Sequence, residues 1–152
     1  TFDVNLHGTF YVSKHAIPLL KKHGGAIMNL SSTAGLYGYP MRSPYACAKW
    51  AIVGLTKTMA MELGPFNVRV NCMCPGAVNG ERMDRVISSI AQATGESLEK
   101  VRHDNVKNTS MSTFVDAQDI ANMIVFSFSD LGAKISGQSL TVDGDTHSLA
   151  TY

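Results

Sequence analysis

Tyr45 and Lys49 are the two residues of this sequence whose types and spacing have the clearest chemical use. Residues four apart share one face of a helix, so the lysine ammonium is expected beside the tyrosine phenol. A nearby positive charge favours a phenolate, and we therefore expect the pKa of Tyr45 to lie below its ordinary value of about 10. Such a pair can act as a general acid and base. The same spacing also fits a solvated lysine that covers an amphipathic tyrosine on a helix surface.

The residues around this pair predict where its helix begins. Ser43 is a typical N-cap residue, and Pro44 suits the first helical position. A helix is therefore predicted over residues 44–63, closed by the glycine and proline that follow. Tyr45 would lie in its first turn, where the helix dipole favours negative charge.

Ser32 stands thirteen residues before Tyr45 and is predicted to lie near it in space. The apolar run at 26–30 indicates a buried strand, which places Ser32 at the carboxyl end of that strand. In open α/β sheets, ligands bind at this edge. The alternative is that Ser32 only caps the turn after its strand.

The predicted elements alternate between helices and strands. They are a helix at 2–22, a strand at 26–31, the helix at 44–63 and a strand at 67–73. Short connections and strands that are apolar on both faces are typical of a parallel sheet covered by helices, which is an α/β fold.

The sequence changes character after residue 76. Polar helical segments at 81–93 and 97–105, with no strand between them, predict a lid of about residues 77–112 over the strand edge. A helix at 116–127, capped by Asp116, and a last strand at 139–144 follow. Because we find no repeat or linker, we expect residues 1–152 to form one domain.

Composition excludes several classes of function. The 152 residues carry a net charge of +1 and 45% hydrophobic residues, which is typical of a single globular domain. No basic block indicates a nucleic-acid partner, and no apolar run reaches the length of a membrane span. The three cysteines show neither metal-ligand spacing nor a disulfide pattern, so we expect reduced thiols, no metal and a cytoplasmic location.

Five short motifs occur in an order and spacing that resemble a known family. They are Asp3-Val4-Asn5-Leu6, Asn29-Leu30-Ser31-Ser32, Tyr45 to Lys49, Val70-Asn71 running to Pro75-Gly76, and Ile135-Ser136-Gly137 before Val142-Asp143-Gly144. With these residues, essentially the whole chain resembles the short-chain dehydrogenase/reductase family. The resemblance is to its compact form, typified by the bacterial 3-oxoacyl-[acyl-carrier-protein] reductases.

The resemblance implies a catalytic role for four residues. Tyr45 would be the general acid and base that exchanges a proton with the substrate oxygen. Lys49 would support the ionised tyrosine and hydrogen-bond the nicotinamide ribose, so both residues would also contact the cofactor. Ser32 would donate a hydrogen bond to the substrate oxygen. Asn5 would hold a water molecule that links Lys49 to solvent, although on its own it also fits a helix-surface asparagine.

The resemblance also implies where the nicotinamide and the substrate bind. The turn at Pro75 and Gly76 would approach the nicotinamide, and the Val78 amide would bind its carboxamide. Gly80 departs from the family pattern, because relatives often place there a threonine that touches the cofactor. Candidate substrate-pocket residues follow from the lid and the loop before residue 44, and they are Tyr37, Tyr39, Met41, Asn79, Glu81, Arg82 and Met83.

The family's glycine-rich phosphate loop and its selector for the ribose 2′ position do not occur in these 152 residues. The resemblance therefore implies the C-terminal part of a doubly wound, Rossmann-like three-layer fold, with the N-terminal nucleotide-binding part absent. NAD and NADP cannot be distinguished without the selector. We expect the strand at 26–31 to form an open sheet edge or to borrow a partner, and the chain alone to bind cofactor weakly.

The function that the resemblance implies is NAD(P)-dependent interconversion of a ketone and a secondary alcohol by a parent enzyme, with this fragment inactive alone. One alternative is a non-catalytic binding or assembly fragment of the same fold. Another is lyase or epimerase chemistry on the same tyrosine and lysine. The implied partners are a small carbonyl or alcohol substrate and further copies of the chain, in a dimer or tetramer through the helices at 2–22 and 44–63.

Overall fold

The computed structural model describes residues 1–150 and contains one parallel sheet. Its strands are β1 (Gly25–Leu30), β2 (Val68–Pro75) and β3 (Ser139–Val142), in the spatial order β1-β2-β3. Leu30 lies opposite Met73, and Pro75 lies opposite Val142. The predicted α/β class with parallel strands is confirmed, and within the described residues β1 occupies one edge of the sheet.

Helices connect and cover these strands. In residues 1–150 the α-helices are α1 (Gly8–His23), α2 (Ser43–Leu63), α3 (Glu81–Thr94), α4 (Leu98–Asp104) and α5 (Ala117–Phe128). A π-helical turn at Asp3–His7 leads into α1, so the helix predicted at 2–22 is present with a wider first turn. None of the described helices is both long and apolar enough to cross a membrane.

Most predicted boundaries differ from the structure by one or two residues, as at β1 and at the end of β3. Two of these differences have clear local causes. Ser43 is the first helical residue of α2 rather than its cap, because the carbonyl of Arg42 already accepts the hydrogen bond from the Ala46 amide at 2.9 Å. The strand predicted at 67–73 begins at Val68, because Asn67 has a φ of 57° and closes the turn that precedes the strand. The cap predicted at Asp116 is confirmed as a capping box with Asp119.

Side chains of β2 alternate between the two faces of the sheet and build a three-layer structure. Cys72, Cys74 and Val70 point to one face and pack on α2, where Ile52 is fully buried. Arg69 points to the other face and donates hydrogen bonds to the carbonyls of Ser127 and Gly132, at and beyond the end of α5. Helices α2 and α5 therefore cover opposite faces.

The lid, residues 77–112, forms a separate small cluster over the carboxyl ends of the strands. Ile87 and Ala91 of α3 pack against Val101 of α4, and Phe114 covers them. An isolated bridge joins Val78 to Val115 and ties the lid to the segment that leads into α5. The lid is thus a helical pair with its own apolar interior.

Candidate active site

An open cavity of about 570 Å³ lies between the carboxyl ends of the strands and the lid. Ser32 and Tyr45 line one side, Gly76 and Val78 line its base, and α3 lines the other side. This volume is ordinary for a small-molecule site. The predicted meeting of Ser32 and Tyr45 at this edge of the sheet is therefore present in the structure.

Tyr45 and Lys49 lie on the same face of α2, as their spacing predicts. The Nζ atom of Lys49 lies 5.6 Å from the centre of the Tyr45 ring, within the range of a cation–π contact. Tyr45 reaches the cavity, whereas Lys49 is only 8% exposed and is not part of the cavity wall. The ammonium is therefore buried next to a tyrosine that reaches the cavity.

The end of β1 holds α2 through two consecutive residues, and the residue after them begins the next turn. The Nζ atom of Lys49 donates to the Leu30 carbonyl at 3.0 Å, and the Ser31 hydroxyl donates to the Lys49 carbonyl at 2.8 Å. The next residue, Ser32, accepts a hydrogen bond from the Ala34 amide at 3.2 Å. Ser32 therefore does cap the turn after its strand, and its hydroxyl proton remains available to a substrate oxygen in the cavity.

Gly35 is required by the close approach of this turn to α2. The turn Thr33–Gly35 packs directly on the helix, and a Cβ atom at residue 35 would lie 2.3 Å from the Ser31 Oγ atom. It would also lie 2.8 Å from the Lys49 carbonyl oxygen. A larger residue would therefore separate the Ser32 turn from the Tyr45 helix.

Lys49 is a buried cation in an otherwise apolar layer. Burial is the main cause that lowers the pKa of Lys49, and the positive charge of Arg82 acts in the same direction. The thiols of Cys72 and Cys74 oppose this shift. The neighbouring Cys74 thiol lowers the pKa of Cys72 in turn, and Cys72 raises that of Cys74.

The turn after β2 presents backbone rather than side chains to the cavity. Gly76 has no room for a side chain, because a Cβ atom there would lie 2.8 Å from the Asp143 Cα atom. In the bridge to Val115, the carbonyl of Ala77 and the amide of Asn79 make the two hydrogen bonds, each of 2.9 Å. The amide of Val78 has no acceptor among residues 1–150, although Val78 lines the cavity.

The other predicted cofactor and catalytic residues lie outside the cavity wall. Pro75 ends β2 directly beneath Gly76. Asn5 lies in the π-helical turn, where its side-chain amide donates to the Thr1 carbonyl at 3.0 Å. The turn contacts α2, so Asn5 lies near the helix of Lys49 but does not reach the cavity.

The predicted pocket residues divide into two groups. The cavity wall contains Tyr39, Asn79, Glu81, Arg82 and Met83. Tyr37 does not line the cavity, and Met41 is almost completely exposed with a φ of 62°.

Within the first group, the Asn79 side chain is already bound. It donates to Asp116 at 2.8 Å and accepts from Arg102 at 2.7 Å. Asn79 therefore mainly connects α4 of the lid to the start of α5.

Sequence reasoning missed one whole wall of the cavity. Residues from the end of the lid and from the segment after β3 meet there through a bridge between Thr109 and Thr146. Arg42 was also missed, although it stands only three residues before Tyr45. The additional wall residues are Thr33, Arg42, Ala77, Gly80, Val86, Asp104, Asn105, Asn108, Thr109, Thr146, Ser148 and Leu149.

No three His, Cys, Asp or Glu residues within the described part of the chain are arranged to hold a metal ion. The polar side chains of the cavity wall carry hydroxyl, phenol, amide, carboxylate and guanidinium groups. A tyrosine backed by a buried lysine, a serine and a free backbone amide meet in it.

Comparison with known proteins places this arrangement among reductases and dehydrogenases. The family model described as enoyl-(acyl carrier protein) reductase matches residues 1–147. The chain is 36% identical over 144 residues to trans-4-hydroxycyclohexanecarboxylate dehydrogenase of Sinomonas cyclohexanicum, covering 95% of this chain and 49% of the relative. It is 32% identical to the 3-oxoacyl-[acyl-carrier-protein] reductase FabG of Thermotoga maritima, covering 93% and 54%. The chain thus spans about half the length of these curated relatives.

Solved structures give the same result. Sorbitol-6-phosphate 2-dehydrogenase SrlD from Erwinia amylovora has a TM-score of 0.87 and 29% identity, covering 94% of this chain and 59% of the other. A 4-hydroxyisoleucine dehydrogenase complexed with NADH has a TM-score of 0.75 at 33% identity, covering 95% and 56%. ElxO with NADP bound has a TM-score of 0.80 at 30% identity, covering 92% and 54%.

Proposed function

Because the chain belongs to the short-chain dehydrogenase/reductase family, we propose that it forms the catalytic part of an NAD(P)-dependent oxidoreductase that interconverts a ketone and a secondary alcohol. The observation that carries this proposal is the shared cavity of Ser32 and Tyr45, with the Lys49 ammonium 5.6 Å from the tyrosine ring. Residues 1–152 would act as a single domain.

Each side chain has a separate task in this proposal. The substrate oxygen accepts hydrogen bonds from the Ser32 hydroxyl and the Tyr45 phenol, which fixes the reacting carbon in the cavity. During reduction Tyr45 gives its proton to that oxygen, and during oxidation it takes the proton back. The Lys49 ammonium stabilises the phenolate that remains, and the Leu30 carbonyl keeps the ammonium in place.

The cofactor would be held by backbone at the base of the cavity and by α2. The Val78 amide would bind the carboxamide, the bare turn at Pro75 and Gly76 would permit close approach, and Tyr45 and Lys49 would contact the nicotinamide ribose. When bound, NAD(P) supplies or accepts the hydride. Asn5 would hold a water molecule on the path from Lys49 to solvent, and exchange of that water would restore the proton of Tyr45.

Tyr45→Phe in the full-length protein tests the acid and base role. We expect turnover to fall by a factor of about 10² to 10⁴, because proton transfer loses its donor while the ring and its packing remain. Steady-state kinetics measure the loss, and circular dichroism checks the fold. Tyr11→Phe is the matched control, since Tyr11 is exposed on α1 and does not line the cavity. If the Tyr45→Phe variant kept the turnover of the wild type, the proposed role of Tyr45 would be wrong.

A second proposal concerns the cofactor affinity of these residues alone. The 152 residues contain no glycine-rich phosphate loop, so the chain by itself should bind NAD(P) weakly and be inactive. Calorimetric titration of the isolated chain with NADH and NADPH measures this. Micromolar binding would contradict it.

We also propose that copies of the chain associate through α1 and α2. Apolar side chains are exposed on both helices, including Val12 and Leu19 on α1 and Met61 on α2. The same surface supports the alternative of a non-catalytic assembly role, in which oligomers would form without turnover. Light scattering gives the oligomeric state, and the Tyr45→Phe kinetics separate the two functions.

Free thiols fit a cytoplasmic location, which cell fractionation tests.

A further inference from the structure

Two exposed arginines that line the cavity have no acceptor among the described residues, whereas Arg69 and Arg102, which lie outside its wall, are bound. Arg69 donates to backbone carbonyls, and Arg102 donates to Asp84 and Asn79. Arg42 and Arg82 are both part of the cavity wall, and within residues 1–150 neither guanidinium makes a hydrogen bond or an ion pair. Two unpaired guanidinium groups therefore border the cavity.

These two groups approach the cavity from different sides. Arg42 directly precedes α2, three residues before Tyr45. Arg82 lies in the first turn of α3, at the edge of the lid. Arg82 lines the same cavity as Tyr45. A ligand between the lid and α2 would therefore meet positive charge on both sides.

The acidic residues of the wall do not cancel this charge. Asp104 is already paired with Lys100 at 3.3 Å and with Lys107 at 3.6 Å. Glu81 is the other carboxylate of the wall, and it makes no ion pair within residues 1–150. The cavity thus presents two uncompensated positive groups against one negative group.

We propose that the substrate carries an anionic group, a carboxylate or a phosphate, which Arg42 and Arg82 bind while its carbonyl or alcohol carbon lies at Ser32 and Tyr45. This inference rests on the proposed oxidoreductase function. A planar guanidinium binds either oxyanion through two parallel hydrogen bonds. A cavity of about 570 Å³ has room for a small substrate with such a group. Arg42 and Arg82 would therefore determine substrate charge rather than take part in proton transfer.

Pairs of substrates with and without an anionic group test the proposal in the full-length protein. The carboxylate pair is 3-hydroxybutyrate and 3-hydroxybutyramide, and the phosphate pair is sorbitol 6-phosphate and sorbitol. We expect kcat/KM to favour the charged member of at least one pair by about tenfold or more, because hydrogen bonds to charged groups are strong. The pair that shows the preference distinguishes a carboxylate from a phosphate.

Variants of the two arginines locate the effect. Arg42→Gln and Arg82→Gln should each reduce the preference for the charged substrate, chiefly through KM, and Arg42→Lys should restore part of it. Arg85→Gln is the matched control, because Arg85 is an exposed arginine of the same helix α3 and does not line the cavity. The preference should remain unchanged in this control.

Several results would overturn the proposal. Equal kcat/KM within both pairs, or a preference that both arginine variants retain, would show that neither group binds a substrate anion. If Arg82→Gln raises the KM for NAD(P)H and leaves the substrate preference intact, Arg82 binds a cofactor phosphate instead, and its proposed role is wrong.

A binding measurement separates this proposal from the oxidoreductase function. Calorimetry with the Tyr45→Phe variant records binding without turnover. Selective binding of the charged member in that variant would support the anion site even if no substrate were converted. Turnover of the neutral substrates with no charge preference would support the oxidoreductase and reject the anion site.

Discussion

The two sides of the cavity are held together by different kinds of contact. On one side, the catalytic frame, which comprises β1, the turn Thr33–Gly35, α2 and β2, relies on buried side chains and close backbone approach. On the other side, the lid relies on one small apolar cluster and on exposed pairs such as Arg102 with Asp84. The lid also rests on the segment after β3, where the Met111 amide donates to the Gly144 carbonyl at 3.1 Å.

This difference separates the chemistry from the choice of substrate. Proton transfer needs Ser32, Tyr45 and Lys49 at fixed positions, and the frame provides the close packing that fixes them. Selection of a substrate needs a wall that can vary in sequence and adjust in shape, and a polar lid with few buried contacts provides it. The contrast predicts that equal changes in the two regions will have unequal effects.

The largest expected effect comes from matched truncations of buried isoleucines. Ile52→Ala in the frame should reduce the free energy of unfolding by about 3 kcal/mol, because it opens a cavity in a fully buried layer. Ile87→Ala in the lid should instead increase amide hydrogen exchange in α3 and α4, with a smaller global loss. Urea denaturation followed by the fluorescence of Trp50 measures the global effect. If Ile52→Ala and Ile87→Ala reduced the free energy of unfolding equally, the proposed contrast between frame and lid would be wrong.

Glycine substitutions in the same loop give a sharper test of the frame. Gly35→Ala should cost about 2 kcal/mol and lower turnover, because its Cβ atom would lie 2.3 Å from the Ser31 Oγ atom and force the turn away from α2. Gly38→Ala is the control, since no atom beyond its chain neighbours lies within 4 Å of its Cβ position. Thermal denaturation and steady-state kinetics compare the two variants. Similar behaviour of both variants would show that close approach at residue 35 does not position the site.

A smaller effect, visible in its pH dependence, is expected from the buried charge of the frame. Because burial lowers the pKa of Lys49 in the folded state, the unfolded chain binds that proton more tightly. Below its lowered pKa, the buried charge of Lys49 therefore decreases the free energy of unfolding. This decrease disappears as pH rises from the lowered pKa toward the pKa of lysine in the unfolded chain, about 10.4. Relative to wild type, Lys49→Met should be most stable near neutral pH and lose this advantage in alkali. Denaturation curves measured from pH 7 upward give the free energy of unfolding of both proteins. A difference between Lys49→Met and wild type that stays constant with pH would contradict this prediction.

The smallest effect is expected at an exposed ion pair of the lid. Asp84→Asn removes the partner of Arg102 at 2.9 Å, and both side chains are largely exposed. We expect a loss of about 0.5 kcal/mol at low salt and almost none at 1 M salt. Thermal denaturation at two salt concentrations measures it. A loss comparable to that of Gly35→Ala would mean that the lid is held as firmly as the frame.

The parts of this molecule that the sequence predicted well are those governed by local periodicity. The four-residue spacing of Tyr45 and Lys49 placed them on one helix face, and parallel strands brought Ser32 and Gly76 to the same edge. Both outcomes follow from regular backbone geometry.

The parts that it predicted poorly depend on contacts between distant segments. The Leu30 carbonyl as the partner of Lys49, and the wall formed where Thr109 meets Thr146, require the packed chain. Boundaries failed for a different reason: one backbone hydrogen bond at Arg42 or one positive φ at Asn67 moves an element end by a residue. Tyr37 was misplaced because loop side chains follow no period that predicts the face on which they lie.

The distribution of the three thiols allows opening of the catalytic frame to be measured by alkylation. Cys47 is exposed on α2, whereas Cys72 and Cys74 are fully buried under the same helix. An alkylating reagent should therefore modify Cys47 at once and reach the other two only when α2 separates from β2. When the frame opens and closes faster than alkylation proceeds, the ratio of these two rates gives the fraction of molecules in which the frame is open. Mass spectrometry measures both rates, and the reactivity of each thiol in the unfolded chain supplies the correction for their different chemistry.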